Sequence, residues 1–273
     1  MTSDPGRLID VNGISLYVEE HGSGVPVILL HGWPDSGRLW RHQVPTLVSA
    51  GFRVIVPDLR GLGRSDRPAD VAAYDIRNAV ADVTGIMDVL GLESAHVVGH
   101  DWGAAVAWFT AMLCPERVRR LVIISVPHPL VPFTMRQHEM FWYQLFFQFA
   151  EIAEATIRYD DWTWLRQLGP EHRDIDQAIA DLSRPGALTA SLNWYRANNA
   201  PRMPEPPVTL PPVKAPTLGI WSTGDRYLDG ARMEQSAAYV RGQWRYEQIP
   251  EASHWIPLDA PERLTQLLLE WLG

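Results

Sequence analysis

The chain has 273 residues, 46% of them hydrophobic and 21% charged, with a formal net charge of −8, which favours one large core and argues against a nucleic-acid partner. Its single cysteine, Cys114, excludes a disulfide within the chain, and the polar start of the sequence lacks the apolar segment of a signal peptide. Because no apolar run approaches the roughly 18 residues that span a bilayer, we expect a cytoplasmic protein with no membrane partner.

The first predicted elements are a hairpin, a buried strand and a helix. Residues 8–11 and 14–19 alternate apolar and polar side chains around Asn12-Gly13, a strong signal for a two-residue turn. Residues 25–30 are continuously apolar, as in a strand that is covered on both faces. Residues 39–50 show helical spacing of apolar side chains up to Gly51, so a helix is predicted there.

The alternation of strands and helices continues along the chain. Short apolar segments at 53–56, 95–98 and 121–124 predict buried strands. Between them, residues 76–90 and 102–113 carry apolar side chains at helical spacing. Strands that alternate with helices predict a parallel sheet wound by right-handed crossovers.

The pattern changes after Ser125. Residues 126–212 contain no segment typical of a buried strand, are rich in aromatic residues at helical spacing, and run into a proline cluster at 201–216. Strand signals then return at 217–221 and 244–249, and helix signals at 232–240 and 264–272. We therefore predict an α/β core formed by residues 1–125 and 213–273, interrupted by a helical cap at residues 126–212.

A strand-turn-helix elbow at residues 99–103, Gly-His-Asp-Trp-Gly, carries the main chemical signal. Glycines on either side let the strand and the helix approach closely, so that the central residue sits on a strained turn above the sheet. That residue is Asp101, a carboxylate that is ionised at neutral pH and can attack a substrate directly. The covalent ester that results must then be hydrolysed by a separately activated water molecule.

Two later residues are candidates to activate that water. Asp225 follows the strand at 217–221 and His254 follows the strand at 244–249, so nucleophile, acid and base occur in the expected chain order. Each has a simpler alternative, because an Asp in a turn commonly only forms the turn and a His before a helix is often a cap or a surface residue. Asp229 is a competing candidate for the acid. The joint order and spacing favour a triad of Asp101, Asp225 and His254.

An oxyanion hole is predicted at residues 31–34, His-Gly-Trp-Pro, directly after the strand at 25–30. The backbone N–H groups of Trp33 and Trp102 would stabilise the tetrahedral intermediate when water attacks the ester of Asp101. The alternative is a proline-stabilised turn in which Pro34 is a candidate cis residue.

On these residues the chain resembles the α/β-hydrolase superfamily, and within it the microbial and soluble-type epoxide hydrolases. The similarity covers nearly the whole chain and rests on segments at 31–34, 58–66 (Asp-Leu-Arg-Gly-Leu-Gly-Arg-Ser-Asp), 100–103 and 192–196 (Leu-Asn-Trp-Tyr-Arg). It implies an α/β-hydrolase fold: a mostly parallel, eight-stranded sheet with helices on both faces and an inserted helical cap. It also implies hydrolysis of epoxides to diols with no cofactor and no metal ion.

The resemblance further implies two cap tyrosines that hydrogen-bond the epoxide oxygen. Tyr195, in the segment 192–196, matches one of them, and Tyr143 matches the sequence context of the other. A phenol can stabilise or protonate the alkoxide that forms when the strained ring opens. The alternative is that both side chains only pack.

Other functions are open from the sequence. Haloalkane and haloacetate dehalogenases share the Asp nucleophile, but the former generally carry Asn where this chain has Trp33, and the latter usually carry Arg where it has Trp102. A non-enzymatic ligand-binding protein can use this fold, although such proteins often lose a member of the triad. A serine esterase is disfavoured because the elbow holds Asp101.

Aromatic residues near these motifs predict an apolar pocket, whose candidate lining residues are Trp33, Trp102, Phe141, Trp142 and Trp194. Core packing explains many of the cap aromatics equally well. If they line a pocket, the substrate is a small, apolar, neutral epoxide that reacts with water. A homodimer is compatible with the sequence, which does not indicate the number of subunits.

Overall fold

The centre of the protein is one sheet of eight strands. The structure, a computed structural model, describes residues 6–201 and 209–273. The strands are β1 (Gly6–Val11), β2 (Ile14–His21), β3 (Val25–Leu30), β4 (Phe52–Pro57), β5 (Ala95–His100), β6 (Val118–Ile124), β7 (Thr217–Ser222) and β8 (Trp244–Ile249). They lie in the order β1-β2-β4-β3-β5-β6-β7-β8. The pairs β1–β2 and β2–β4 are antiparallel and the other neighbouring pairs are parallel, which confirms the predicted sheet.

Helices flank this sheet and form the cap. In chain order the α-helices are α1 (Val44–Ser49), α2 (Ile76–Val89), α3 (Trp102–Leu113), α4 (Met135–Met140), α5 (Trp142–Phe146), α6 (Ile152–Leu168), α7 (Ile175–Leu182), α8 (Ala187–Asn198), α9 (Gly230–Gln235), α10 (Ile256–Asp259) and α11 (Pro261–Leu272). Short 3-10 turns occur at Gly37–Trp40, Val71–Tyr74, Pro115–Arg117 and Ser236–Tyr239. No helix in residues 6–201 or 209–273 is long and apolar enough to cross a membrane.

Each face of the sheet has its own hydrophobic core. On β3, Ile28 and Leu30 belong to the core beneath α2 and α3, whereas Val27 and Leu29 belong to the core beneath α1 and α11. Successive side chains of a strand point to opposite faces, so a continuously apolar strand needs helices on both sides. This arrangement confirms the interpretation of residues 25–30.

The hairpin between β1 and β2 forms at the predicted turn. Asn12 and Gly13 have φ values of 49° and 77°, the left-handed conformation that both central residues of a type I′ turn adopt. Val11 and Ile14 are paired directly across the turn.

Two predicted helices differ from the structure. The helix expected at 39–50 is a 3-10 turn, Gly37–Trp40, followed by the separate helix α1, because Pro45 lacks an N–H group and occupies the first turn of α1. The helix expected at 232–240 begins earlier, at Gly230, and ends at Gln235 before a 3-10 turn. Its start is set by Asp229, whose side chain accepts a hydrogen bond from the Ala231 N–H.

The cap lies between β6 and β7 and consists of α4 to α8. Within residues 126–201 and 209–212 there is no strand. Residues 202–208, which include much of the predicted proline cluster, lie outside the described residues. Helix α6 is interrupted at Tyr159–Trp162, where Asp160, Asp161 and Trp162 have positive φ values, so it consists of two helical pieces joined at a kink.

Candidate active site

The elbow places Asp101 between the end of β5 and the start of α3. Asp101 has φ 52° and ψ −122°, a backbone conformation that residues other than glycine rarely adopt. A methyl group on Gly103 would lie 2.2 Å from the Leu30 carbonyl oxygen, and one on Gly99 would lie 2.3 Å from the Gly103 carbonyl oxygen. Both positions therefore require glycine, and their close packing fixes the backbone that presents the Asp101 carboxylate.

The Asp101 carboxylate has a different neighbour at each oxygen. Its Oδ1 accepts a hydrogen bond of 2.8 Å from the Trp33 backbone N–H. Its Oδ2 lies 3.6 Å from Nε2 of His254. Burial alone would raise the pKa of Asp101, but His254 and the Trp33 N–H outweigh burial and lower it below the usual value. Asp101 is therefore ionised at neutral pH.

His254 and Asp225 form the second half of the predicted triad. Nδ1 of His254 lies 2.8 Å from Oδ2 of Asp225. The other oxygen of Asp225 accepts hydrogen bonds from the backbone N–H groups of Tyr227 and Leu228, at 2.8 and 3.0 Å. The competing candidate, Asp229, caps α9 instead. The structure thus brings the three residues together, with His254 between the carboxylates of Asp101 and Asp225.

His254 is held between two carboxylates. Burial alone would lower its pKa, but the charges and hydrogen bonds of Asp225 and Asp101 outweigh burial and raise the pKa to about 10. With Asp101 ionised, His254 is therefore an imidazolium at neutral pH.

His100 is a supporting residue that the sequence did not single out. Its Nε2–H donates a 2.9 Å hydrogen bond to the His254 carbonyl oxygen, and the two rings are 4.7 Å apart. Burial, followed by the charge of His254, lowers the pKa of His100 to about 4, so the ring is neutral. His100 precedes the nucleophile and ties the elbow to the loop of the base. The sequence signal that could have indicated this role is a polar residue at the end of a predicted buried strand.

The loop at residues 31–34 contributes the Trp33 half of the predicted oxyanion hole. The Trp33–Pro34 peptide bond is cis, and the role of this loop as an oxyanion hole stays a prediction. A side chain at Gly32 would collide with Asp101, since an added methyl group would lie 2.3 Å from the Asp101 Cβ. Trp102, the first residue of α3, follows Asp101 directly, and the role of its N–H stays a prediction.

The two predicted tyrosines face the same space as Asp101 and His254. Tyr143 on α5 and Tyr195 on α8 are 6% and 2% exposed, and their ring centroids are 6.1 Å apart. Burial, followed by the negative charge of Asp101, raises the pKa of both phenols, so both keep their protons. The Tyr143 oxygen accepts a 3.3 Å hydrogen bond from the Gln144 side chain. Both phenols therefore line the same chambers as Asp101 and carry protons that they can donate.

Tyr227 is a third phenol at the site that the sequence did not indicate. Its ring centroid lies 5.3 Å from that of His254 and 6.0 Å from that of Tyr143. Its hydroxyl donates a 2.6 Å hydrogen bond to the Leu168 carbonyl oxygen in the cap. Because its hydroxyl proton is already donated to Leu168, we assign Tyr227 no proton-donor role. Its ring lines the site.

Two chambers meet at the reacting groups. The small chamber, about 20 Å³ in volume, is lined by residues that include Trp33, Leu165, Ile175 and His254. The large chamber, about 370 Å³, is lined by residues that include Trp102, Phe109, Phe141 and Arg232. Both chambers share Asp101, Tyr143, Tyr195 and Tyr227.

The predicted pocket aromatics are therefore divided among different environments. Trp33 lines the small chamber, and Trp102 and Phe141 line the large one. Trp142 is 55% exposed and lines a surface groove on the cap, outside both chambers. Trp194 is fully buried behind Trp102, with ring centroids 5.3 Å apart, and its indole N–H donates to the Arg60 carbonyl oxygen. Trp142 and Trp194 thus lie away from the reacting groups.

In the described residues, no group of three or more His, Cys, Asp or Glu side chains is arranged to hold a metal ion. The arrangement that the structure does contain is a buried carboxylate, a histidine paired to a second carboxylate, and two protonated phenols facing them. Such a set can perform nucleophilic attack by the carboxylate, protonation of a leaving oxygen, and hydrolysis of the resulting ester.

Comparisons with known proteins agree with this geometry. A family model described as the alpha/beta hydrolase fold matches residues 25–261. Epoxide hydrolase A of Mycobacterium tuberculosis is 35% identical, over 97% of this chain and 96% of that protein. The AB hydrolase superfamily protein YfhM of Bacillus subtilis is 36% identical, over 97% of each chain.

Solved structures show the same architecture. A structure from a study of novel epoxide hydrolases in metagenomes from hot environments has a TM-score of 0.88 and 30% identity, and covers 100% of this chain and 99% of that one. The Bacillus megaterium epoxide hydrolase, solved in complex with an inhibitor, has a TM-score of 0.87 and 26% identity over 97% of this chain and 99% of that one.

Proposed function

Because the chain belongs to the α/β-hydrolase fold family, and within it to the epoxide hydrolases, we propose that it hydrolyses epoxides to vicinal diols through a covalent ester on Asp101. The observation that carries the proposal is the position of two protonated phenols, Tyr143 and Tyr195, in the same small chamber as Asp101 and His254. An epoxide needs a nucleophile on carbon and a proton donor on oxygen, and this chamber offers both.

The first step is ring opening by Asp101. Its Oδ1 is held by the Trp33 N–H, which leaves Oδ2 to form the bond to an epoxide carbon. The carbon–oxygen bond of the ring breaks, and the electron pair stays on the departing oxygen as an alkoxide. Tyr143 and Tyr195 hydrogen-bond that oxygen, and one of them supplies its proton before solvent protonates the phenol again.

The second step is hydrolysis of the ester, and the charge change in the first step prepares it. In the resting enzyme the negative charge of Asp101 helps to hold a proton on His254. Ester formation removes that charge 3.6 Å from Nε2, so the pKa of His254 falls and the imidazolium releases its proton to solvent. Neutral His254, oriented by Asp225, can then act as a general base.

Water attacks the ester carbonyl carbon and gives its proton to His254. The oxyanion that forms is stabilised by the Trp33 N–H, together with the N–H of Trp102. Collapse of this intermediate releases the diol and restores both the Asp101 carboxylate and the His254 imidazolium. Over the two steps one epoxide and one water molecule become one diol, and no proton is gained or lost.

The side chain of Trp33 supports epoxides over alkyl halides as substrates. Its indole N–H donates a 3.1 Å hydrogen bond to Ser191 Oγ in the cap. The indole N–H of Trp33 is therefore turned toward the cap and not toward a departing halide, whereas the phenols remain placed for an oxygen leaving group.

The test is a single turnover of styrene oxide in ¹⁸O-labelled water, followed by mass spectrometry of the protein and of the diol. For the wild type we expect an unlabelled diol and one labelled oxygen in Asp101, because water attacks the ester and not the epoxide. His254→Gln should accumulate an alkyl ester on Asp101, with hydrolysis slowed by at least about 100-fold. Asp101→Asn is the matched control and should form no adduct.

Labelled diol from the first turnover would show direct attack by water on the epoxide. The same conclusion would follow if His254→Gln turned over at the wild-type rate without an adduct. Either result would overturn the proposed mechanism.

A further inference from the structure

The large chamber contains a buried cation that the reaction described above does not use. Arg232, on α9, lines this chamber together with aromatic and aliphatic side chains, and it is 3% exposed. Asp101 lines the same chamber, so both residues border one space of about 370 Å³.

The hydrogen bonds of Arg232 all go to neutral acceptors. Its Nε–H donates to the Pro132 carbonyl oxygen, one Nη to Gln137 Oε1, and the other Nη to the Val131 carbonyl oxygen. Its guanidinium also lies over the Phe133 ring, 4.2 Å from the ring centroid. A guanidinium has five N–H donors, so three bonds leave two of them for a further acceptor.

Asp229, three residues before Arg232 in the sequence, is engaged elsewhere. One of its oxygens accepts from the Ala231 N–H and the other from the Thr134 hydroxyl. In the described part of the chain, Arg232 has no carboxylate within ion-pair distance, although Asp229 is close enough to act on it through its charge.

Two other buried arginines show what is unusual about Arg232. Arg60 pairs with Asp82, and Arg196 pairs with Glu154, in each case through two guanidinium nitrogens. A buried charge without a counter-ion costs free energy that a paired charge recovers. An anion bound in the chamber would recover that free energy for Arg232.

We propose that the large chamber binds the anionic end of the substrate: an epoxide joined through an apolar body to a terminal carboxylate, with Arg232 as the counter-ion. The proposal rests on the proposed function for the identity of the reacting group. It changes the substrate class from a neutral apolar epoxide to an acid with an apolar middle, which fits the apolar walls between Asp101 and Arg232.

A purely structural role for Arg232 is the competing explanation. Its hydrogen bonds to Val131, Pro132 and Gln137 hold the segment that leads into α4. Loss of this support would lower turnover of every epoxide alike, whereas loss of a counter-ion would lower turnover of acids selectively. The ratio of acid to neutral substrate therefore separates the two roles.

The experiment compares kcat/KM for ω-epoxyalkanoates of graded chain length with that for their methyl esters. For the wild type we expect a preference for the acid of about 10- to 100-fold at one chain length, mainly through a lower KM, as for a charge-assisted hydrogen bond. Arg232→Met should remove this preference, because kcat/KM falls much more for the acids than for the esters. Arg232→Lys should keep part of the preference.

Arg136 offers a matched control, because it is an exposed arginine on the neighbouring helix α4. Arg136→Met removes the same charge near the chamber and should leave the acid preference unchanged. Equal kcat/KM for acid and ester in the wild type at every chain length would overturn the proposal. So would an equal loss for both substrates in Arg232→Met.

A binding measurement on the wild type separates this proposal from the proposed function and does not need the variant to fold. Calorimetry would compare unreactive alkanoates with the corresponding amides. If no epoxide is turned over but the alkanoate binds at least about tenfold more tightly, the reaction is wrong and the anion site stands. If epoxides are turned over but acid and amide bind equally, the anion site is wrong and the reaction stands.

Discussion

At the scale of single residues, the protonation state of His254 depends on the charge of Asp101. Asp101 and His254 are 3.6 Å apart, and each shifts the pKa of the other toward its charged form. The pair is thus most stable before reaction, as a carboxylate and an imidazolium. In the proposed mechanism, formation of the ester removes the charge of Asp101 and allows His254 to become a base, which sets the order of the two steps.

This coupling predicts different pH profiles for the two steps. Alkylation should be nearly independent of pH between about 5 and about 9, because Asp101 has a lowered pKa and stays ionised, and the phenols have raised pKa values and stay protonated. Hydrolysis should slow as pH falls, because His254 in the ester must lose its proton, with a pKa below the resting value of about 10.

Stopped-flow tryptophan fluorescence over this pH range resolves the two steps, since Trp33 and Trp102 adjoin the reacting groups. Asp101→Asn serves as the control for fluorescence changes that come from pH alone. An alkylation rate that fell with acid while hydrolysis stayed constant would contradict the assignment of His254.

At the scale of elements, one short loop of the cap makes four charged contacts with the core. Four consecutive residues between α6 and α7, which we call the cap latch, each contact a charged core residue. The four pairs are Glu171–Arg226, His172–Asp35, Arg173–Asp259 and Asp174–Arg41. Three of these pairs have a partly exposed member, whereas His172 and Asp35 are both buried. The latch adjoins Gly169 and Ile175, which line the small chamber.

The buried pair of the latch should contribute most of its stability. Oδ1 of Asp35 accepts from His172 Nε2–H at 3.0 Å, and Oδ2 accepts from Trp255 Nε1–H at 3.1 Å. Asp35→Asn would place an amide N–H₂ against one of these donors, so we expect a loss of about 2–4 kcal/mol in the free energy of unfolding. Urea denaturation measures this loss, and hydrogen exchange should show faster opening at residues 169–174.

The matched control is Asp176→Asn, which removes the exposed pair with Arg166 elsewhere in the cap. That change should cost no more than about 0.5 kcal/mol. Burial alone would raise the pKa of Asp35, but His172 outweighs burial and lowers it, so its contribution is present above about pH 4 and is lost as pH falls further. Equal effects of both substitutions would show that burial does not distinguish these pairs.

At the scale of the whole molecule, the cap and one face of the sheet share a continuous hydrophobic core. Cap residues such as Phe147, Leu188 and Trp194 belong to the same buried cluster as strand residues such as Leu30 and Val97. A shared core of this kind couples the stability of the cap to that of the sheet. We therefore expect cap and core to unfold together.

Trp194 is a fully buried member of this shared core. Trp194→Ala should lower the free energy of unfolding by about 3–5 kcal/mol, because it leaves a cavity between cap and core. Trp142→Ala is the matched control, since Trp142 is 55% exposed on the cap surface and should change both stability and kcat/KM little. Urea denaturation followed by fluorescence and by circular dichroism provides the measurement. Two separate transitions in the wild type would contradict the coupled core.

The sequence by itself determined most of the strands and helices, the elbow with Asp101, and the chain order of Asp225 and His254. These features depend on local signals: apolar periodicity, glycine at a strained turn, and the end of each strand. The sequence-based prediction was wrong at residues 39–50, where the apolar spacing predicted one helix but Pro45 limits the helix to a shorter segment.

Only the tertiary structure decided which of two nearby carboxylates contacts His254, because Asp225 and Asp229 lie in the same loop and differ in the direction they face. It also decided that Trp33 and Trp102 line the chambers while Trp142 lies on the surface and Trp194 in the core. Arg232 shows the same limit most clearly. Its charge is evident in the sequence, but only the folded structure shows that, within residues 6–201 and 209–273, no carboxylate lies within ion-pair distance of it.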